Sequence, residues 1–167
     1  MDKVLWNDQL NTGFDHVDTQ HRRLMEILNR LIGMSEPGCT CTLEEVEEAV
    51  RDLGSYVRHH FDDEIRMMQD TRCDLRHVMM HAREHEHFVR HLSLFEESME
   101  EPGGTTAGKA AELGRFLAKW LWRHILVVDQ VMARQVRRIQ AGDDPAHAYE
   151  IEVASAPEVV LPNESYV

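Results

Sequence analysis

Four long stretches of this sequence carry apolar residues three and four positions apart, and short helix-breaking segments separate them. That spacing places the apolar side chains on one face of an α-helix. Short loops between long amphipathic helices favour an antiparallel arrangement. The predicted fold class is therefore all-α: an antiparallel, up-down-up-down four-helix bundle with an irregular N-terminal segment.

Capping and breaking residues predict the ends of the first two helices. Residues 1–17 are rich in turn-forming residues and are expected to form an irregular arm. Asp18 is then expected to cap a first helix that ends near Gly33. Thr42, followed three positions later by a glutamate, has the capping-box pattern and predicts a second helix ending near residue 68.

The same reasoning predicts a third helix over 75–99 and a fourth over 106–140, with 69–74 as the loop before the third. One domain, 1–140, would contain all four helices. Residues 141–167 carry six acidic residues and no Lys or Arg. We expect this segment to be a flexible acidic tail or linker, with a segment that binds a protein partner as the alternative.

Charge and hydropathy narrow the functional class. The formal net charge of −12 argues against nucleic-acid binding, which needs a basic surface. No run approaches the roughly 18 uninterrupted apolar residues of a membrane span, and MDKVLWNDQL lacks the apolar stretch of a signal peptide. The expectation is a cytoplasmic protein with no membrane partner. The three cysteines are expected to be reduced and to have no metal or redox role: Cys39, Cys41 and Cys73.

Each predicted helix carries histidines or carboxylates that can point to one side. Side chains four positions apart share a helix face, and metal sites in bundles are built from such side chains at one level. The motif HAREHEHF contains two histidines four positions apart, and HHFDDE contains a histidine and a glutamate at the same spacing. The motif HILVVD contains a histidine and an aspartate five positions apart. With the single histidine of the first helix, the candidate metal ligands are His21, His60, Glu64, His81, His85, His124 and Asp129.

Antiparallel geometry tests whether these residues lie at one level, because level residues are equidistant from the loop between them. The midpoint between the pairs in the second and third helices falls within 69–74, and that between the third and fourth within 102–106. The midpoint between His21 and His60 falls toward the end of 35–42, which is a looser fit. A pairing of His77 with His81 fails this test. All four helices are therefore expected to meet at one site.

Seven protein ligands exceed what a single tetrahedral zinc takes. Nitrogen and carboxylate donors without thiolate favour two iron ions over copper(I) or an iron–sulfur cluster. The alternative, a set of hydrogen-bonded core histidines, would be costly without metal. The other histidines are expected on the surface: His16, His59, His77, His87, His91 and His147. For His77 alone, a position beside the metal site is the alternative.

The motifs GFDHVDTQH, HFDDE, HAREHEHF and WLWRHILVVD resemble those of the bacterial hemerythrins over roughly residues 5–135. All seven ligand positions are filled, with the spacings H-x3-E, H-x3-H and H-x4-D. Between Glu64 and His81 the chain is about two residues longer than the usual pattern, and a proline often present there is absent. This departure affects the path of the loop and leaves the ligand positions intact.

The resemblance implies two non-haem Fe ions with an oxo or hydroxo bridge. His81, His85 and His124 would hold one iron and His21 and His60 the other, with Glu64 and Asp129 bridging. Dioxygen would bind reversibly at the two-histidine iron, where azide or nitric oxide also bind. The implied function is non-enzymatic oxygen storage, delivery or sensing. The alternatives are a di-iron redox enzyme that handles peroxide or nitric oxide, and a sensory module coupled to a signalling partner.

A dry pocket is expected around the bound oxygen. Four apolar side chains lie one helical turn or less from His21 or His124, and we predict that they form its wall: Leu24, Trp120, Leu121 and Ile125. Plain core packing is the alternative for each of them.

Overall fold

The computed structural model describes residues 2–36, 38–99 and 105–154. Its regular elements in these ranges are all helical. After a 3₁₀ turn at Asp8–Leu10, the helices are α1 (Asp15–Met34), α2 (Leu43–Asp70), α3 (Leu75–Met99), α4 (Thr106–Arg123), α5 (Gln130–Gln140) and α6 (Pro145–Ala154), with a π-helical segment (His124–Asp129) between α4 and α5.

The long helices pack into one bundle. Helix α1 lies against both α2 and α4, and α2 also lies against α3. The side chains between them form a continuous apolar core that includes Leu31, Leu53, Phe88 and Leu117. The all-helical bundle expected from the sequence is confirmed. Within the described residues, no helix combines the length and apolarity that crossing a membrane requires.

Helix α1 begins four residues before the start that an Asp18 N-cap predicts, and Asp18 is not its cap. The N-cap is Phe14, whose side chain makes no capping hydrogen bond. The buried Asp18 carboxylate instead accepts hydrogen bonds from the backbone N–H and the hydroxyl of Thr12, both at 2.8 Å. The Arg137 guanidinium donates to the carbonyl of Thr12 from α5. These bonds attach the N-terminal arm to the bundle.

Helices α2 and α3 follow their predicted patterns closely. Thr42 and Glu45 form a reciprocal capping box, in which the Thr42 N–H donates to Glu45 at 2.7 Å and the Glu45 N–H donates to Thr42 at 3.2 Å. Helix α2 continues two residues further than expected, to Asp70, and Arg72 then turns the chain with a φ of 59°. Helix α3 has the predicted bounds.

The predicted fourth helix is interrupted. It starts at Thr106, where the Thr105 hydroxyl accepts from the Gly108 N–H at 3.0 Å, and its last turn ends at Gln140 as expected. Between these ends, His124–Asp129 is wound as a π-helix. Most of the breaker that separates the third and fourth helices, 100–104, lies outside the described residues.

The first part of the acidic C-terminal segment differs from the flexible tail favoured by the sequence. Residues 145–154 form α6, which packs on α5. The buried Glu152 carboxylate accepts from the Arg134 and Arg138 guanidinium groups at 2.5 and 2.7 Å. Two arginines at i,i+4 on α5 therefore anchor this helix. Residues 155–167 lie outside the described part of the chain, and the domain boundary at residue 140 stays a prediction.

The three cysteines are free, as expected. Cys39 is exposed, Cys41 is half-buried and Cys73 is buried.

Candidate metal centre

The structure brings all seven predicted metal ligands into one buried layer. His21 comes from α1, a histidine and a glutamate from α2, two histidines from α3, and a histidine and an aspartate from the π-helical segment. Each residue exposes 5% or less of its surface, and the seven are His21, His60, Glu64, His81, His85, His124 and Asp129.

The Glu64 carboxylate lies between two groups of histidines. Its Oε1 atom is 3.7 Å from His21 Nε2 and 3.6 Å from His60 Nε2. Its Oε2 atom is 3.1 Å from the Nε2 atoms of both His81 and His85. One oxygen therefore faces a two-histidine group, and the other faces a second group on the opposite side.

Asp129 divides its oxygens in the same way. Its Oδ2 atom is 3.1 Å from His21 Nε2, whereas its Oδ1 atom is 3.1 Å from His124 Nε2 and 3.7 Å from His81 Nε2. His124 Nε2 also lies 3.1 Å from His85 Nε2, which completes the second group. The two carboxylates thus stand between a group of two and a group of three imidazoles.

The π-helical segment explains how His124 and Asp129 reach the same side. In a regular α-helix, residues five apart are rotated by about 140° and diverge. A π-helix closes its hydrogen bonds from i to i+5, so residues five apart return to the same face. The H-x4-D spacing thus requires this local widening, which the sequence analysis overlooked when it treated the fourth helix as continuous.

Several buried polar atoms in the layer have no hydrogen-bond partner. They include His21 Nε2, His60 Nε2, Glu64 Oε1 and both carboxylate oxygens of Asp129. Buried polar groups are nearly always satisfied, and an uncompensated buried charge is costly. A bound cation would satisfy these atoms together, so the donor set fits metal binding.

Two subsets place one ligand atom per residue within 4.8 Å of one another: Glu64, His81, His85 and His124 in one, and His21, His60 and Glu64 in the other. Because Glu64 belongs to both subsets, two adjacent cation positions share one carboxylate.

Burial disfavours the charged imidazolium in this layer. It lowers the pKa of His60 to about 3 and holds the pKa values of His85 and His124 below the ordinary value. At His21 burial again opposes protonation, but the nearby Asp129 and Glu64 carboxylates together outweigh it and raise the pKa to about 9. His60, His85 and His124 are therefore neutral at pH 7 and keep a lone pair for a cation.

This geometry agrees with the family to which the sequence is similar. The family model of the Hemerythrin HHE cation binding domain matches residues 12–136, which include all seven side chains. The chain belongs to the hemerythrin family.

Relatives of similar length support the membership. The bacteriohemerythrin of Stenotrophomonas maltophilia is 32% identical over 136 residues, which cover 80% of this chain and 82% of that protein. The bacteriohemerythrin of Pseudomonas aeruginosa is 30% identical over 125 residues, 75% of this chain and 76% of its own length. That of Clostridium acetobutylicum is 23% identical over 129 residues, 75% and 95% respectively.

Aromatic rings pack on the three-histidine side of this hemerythrin domain. Phe61 stacks on His85 with ring centroids 3.7 Å apart and 6° between the planes. Trp120 stacks on His124 at 4.1 Å and 19°. Phe61 was not among the predicted site residues, although it adjoins a predicted ligand in HFDDE. Stacking restricts the rotation of both imidazoles.

Gln20 was also missed, although it directly precedes His21. Its amide N–H donates to Asp63 at 2.8 Å, so its amide oxygen accepts from His60 Nδ1 at 2.9 Å. The proton on His60 is thereby placed on Nδ1, and the Nε2 lone pair points toward Glu64. Ligating histidines in metalloproteins usually have such a partner on the second ring nitrogen.

Most histidines predicted to lie outside the hemerythrin site are exposed: His16, His59, His87, His91 and His147. The prediction that His77 lies on the surface is wrong, because its side chain is fully buried. Its Nδ1 atom lies 2.5 Å from Gln135 Oε1, and the Tyr149 ring of α6 packs beside it at 5.7 Å. Burial lowers the pKa of His77 to about 4. Helix α6, which the sequence analysis did not predict, contributes to this burial.

The four predicted pocket residues belong to or pack against the same apolar core. Leu24, Leu121 and Ile125 are buried, and the latter two border a small apolar crevice beside the N-terminal arm. Trp120 is half-buried and lies on His124, which belongs to the three-histidine group. The role of these residues in an oxygen pocket stays a prediction.

Proposed function

We propose that this hemerythrin domain binds dioxygen reversibly at a non-haem di-iron centre, for oxygen storage, delivery or sensing. The observation that supports this most directly is the division of the two carboxylates. One oxygen of each faces His21, and the other faces the opposite histidine group. Two carboxylates placed in this way suit a pair of cations better than one.

The proposed assignment follows the distances. His81, His85 and His124 would hold one iron, and His21 and His60 would hold the other. Glu64 and Asp129 would be shared between the two irons of an oxo- or hydroxo-bridged pair. The convergence of side chains from separate helices at one level supports the antiparallel four-helix arrangement of residues 1–140.

The protein side chains favour binding over oxidation of a substrate. When bound, two ferrous ions would supply the two electrons that oxygen takes up on binding and returns on release. Five imidazoles leave the site less anionic than carboxylate-rich di-iron sites, so high-valent iron is less stabilised. The ligand layer is closed to solvent, with exposures of 5% or less. Leu24 and its apolar neighbours keep water from the bound ligand.

The two-histidine side is the proposed position for dioxygen. It has one fewer imidazole than the opposite side, so an iron held there would have one protein ligand fewer and room for a small ligand. Azide and nitric oxide would compete for this position, because they are small ligands that also bind iron.

Iron analysis combined with optical spectra tests the proposal. Protein from iron-replete cells should contain two irons per chain, and the diferrous form should gain an absorbance band with oxygen that disappears when oxygen is removed. Azide should produce a different band. One iron per chain at full occupancy contradicts the dinuclear site. Steady turnover of peroxide or nitric oxide, without a persistent oxygenated form, favours a redox enzyme instead.

A further inference from the structure

His77 is a buried histidine outside the proposed ligand set. It lies one helical turn before His81 on α3, and the two rings are 6.2 Å apart at 72°. Its surroundings come from three helices, since Gln135 belongs to α5 and Tyr149 to α6. Packing alone does not require a polar ring at this position.

The hydrogen bonds around His77 determine which ring nitrogen carries the proton. The carbonyl of Pro145, at the start of α6, accepts from the Gln135 amide N–H at 3.3 Å. The Gln135 amide oxygen must therefore be the atom that faces His77 Nδ1 at 2.5 Å, and it accepts from that N–H. A neutral imidazole has one N–H, so His77 Nε2 carries a lone pair. That atom is buried without a partner.

His81 presents the complementary group. Its Nε2 atom faces the carboxylates, 3.1 Å from Glu64 Oε2 and 3.7 Å from Asp129 Oδ1. When Nε2 binds a cation, the single proton of the neutral ring is on Nδ1. That Nδ1 atom is likewise buried without a hydrogen-bond partner. Ligating histidines almost always donate this second N–H to an acceptor.

We propose that His77 is a positioning residue for His81: His77 Nε2 accepts the Nδ1–H of the metal-bound His81, directly or through one water. The inference rests on the proposed function, because it assumes that His81 binds metal. The acceptor at Nε2 exists only while Gln135 holds the other nitrogen of His77 protonated. The orientation of Gln135 in turn depends on the Pro145 carbonyl.

Helix α6 is consequently part of the metal site's support. Glu152 anchors it to Arg134 and Arg138, and the Arg76 guanidinium lies 4.6 Å from the centre of the Tyr149 ring. These contacts keep the Pro145 carbonyl in place. The first residues of the acidic C-terminal segment thus connect to a ligand of the three-histidine iron through two side chains.

The first part of the test uses metal-free, full-length protein. Nitrogen-15 NMR of the imidazole rings should show His77 as the Nδ1–H tautomer in the wild type. In Gln135→Leu this preference should be lost. A wild-type His77 that carries its proton on Nε2 overturns the proposal, since that nitrogen could not accept from His81.

The second part measures iron loss from the iron-loaded chain to a ferrous chelator. His77→Phe keeps a ring but removes the acceptor, and should lose iron about 10- to 100-fold faster, the usual effect of removing such a partner. His77→Gln, whose amide oxygen replaces the acceptor, should restore most of the retention. His87→Phe, at an exposed position of the same helix, is the matched control and should match the wild type. Thermal melting of the metal-free variants separates folding defects from weakened metal binding.

Equal iron loss from the wild type and His77→Phe overturns the inference, as does a His77→Gln variant that retains iron no better than His77→Phe. A wild-type chain that holds no iron is a different result. It contradicts the proposed function, and the role of His77 fails with it.

Discussion

The two histidine groups of the site are built differently. On the three-histidine side, His85 and His124 each lie under an aromatic ring, Phe61 and Trp120, at centroid distances of 3.7 and 4.1 Å. On the two-histidine side, His21 and His60 meet edge to face at 4.9 Å. Within the described residues, no ring stacks face to face on either of them.

In the proposed di-iron site, this difference would correspond to two tasks. Stacked rings hold imidazoles in fixed orientations, which suits an iron whose coordination is completed by the protein. The side with fewer imidazoles would leave a position open for a small ligand, and His60 is oriented there by one hydrogen bond that its Nδ1–H donates to the Gln20 amide oxygen. We therefore expect variants on the three-histidine side to change iron retention. Variants on the other side that spare the ligands should change the behaviour of bound oxygen.

Glu64→Gln should have the largest effect, because Glu64 faces both groups. The amide keeps the shape and one acceptor oxygen but removes the charge that holds two cations together. We expect loss of one or both irons and of the stability that metal binding adds, about 3 to 4 kcal/mol if free metal is 100- to 1,000-fold above the dissociation constant. Iron analysis and thermal melting measure both.

The matched control is Glu86→Gln, an exposed glutamate on α3, which should keep full iron and an unchanged melt. A Glu64→Gln variant with two irons and wild-type melting would show that Glu64 is not a bridge.

Removal of single histidine ligands should come next in size. His81→Ala and His124→Ala each take a ligand from the three-histidine iron and should reduce the iron content severely. His59→Ala and His87→Ala, at exposed positions, should leave iron content and the optical spectrum nearly unchanged. Loss of the site in His87→Ala, with retention in His85→Ala, would reverse the assignment of ligands on α3.

The aromatic stacks should contribute a smaller amount to iron retention. Phe61→Leu and Trp120→Leu keep apolar bulk but remove the rings over His85 and His124. An aromatic pair adds roughly 0.5–1.5 kcal/mol beyond its buried area, which corresponds to about 2- to 10-fold faster iron loss. Iron transfer to a chelator measures this rate.

Phe116→Leu offers a close control, because Phe116 stacks on the exposed His91 at 3.7 Å and 17°, outside the metal site. It should not change iron retention. Faster iron loss from Phe116→Leu as well would mean that general loosening of the bundle, and not the stacks, controls retention.

Leu24→Ala and Leu24→Ser should have the smallest effect on iron and act on the two-histidine side only. Leu24 donates nothing to a metal and follows His21 by three positions on the same face of α1. Iron content should be retained, while water access shortens the lifetime of the oxygenated form several-fold. The decay of its absorbance after the diferrous protein is mixed with oxygen measures this lifetime.

The alanine variant separates water access from the hydrogen-bonding effect of a new hydroxyl. Equal decay in the wild type and both variants would remove Leu24 from the pocket. A wild-type oxygenated form too short-lived to detect would favour the redox-enzyme alternative.

The bounds of α3, the start of α2 and the shared level of the candidate ligands were predictable from local signals and residue spacing. Helix α3 begins and ends where predicted, and the Thr42 capping box forms as its pattern indicates. The level of the ligands followed from equal distances to the intervening loops. These features need only residue spacing and local backbone chemistry.

The features that were missed depend on contacts between distant segments. Asp18 binds the arm in place of capping a helix, because Thr12 folds back onto it. Helix α6 forms where Glu152 meets two arginines of α5, and it contributes to the burial of His77. Sequence periodicity contains no information about which distant partner a short polar segment will meet. Asp18 was therefore assigned to a helix cap, His77 to the surface and residues 145–154 to a flexible tail.

The widened turn at His124–Asp129 links chain length to ligand geometry. A π-helical turn is equivalent to an α-helix with one residue inserted, while the helices on either side keep their orientation. Deletion of one residue between His124 and Asp129 would convert their separation to four, which an ordinary α-helical turn also presents on one face. Insertion of one further residue would instead rotate the aspartate away from the other ligands. The stretch between the two ligands should therefore tolerate the deletion of one residue but not the insertion of one.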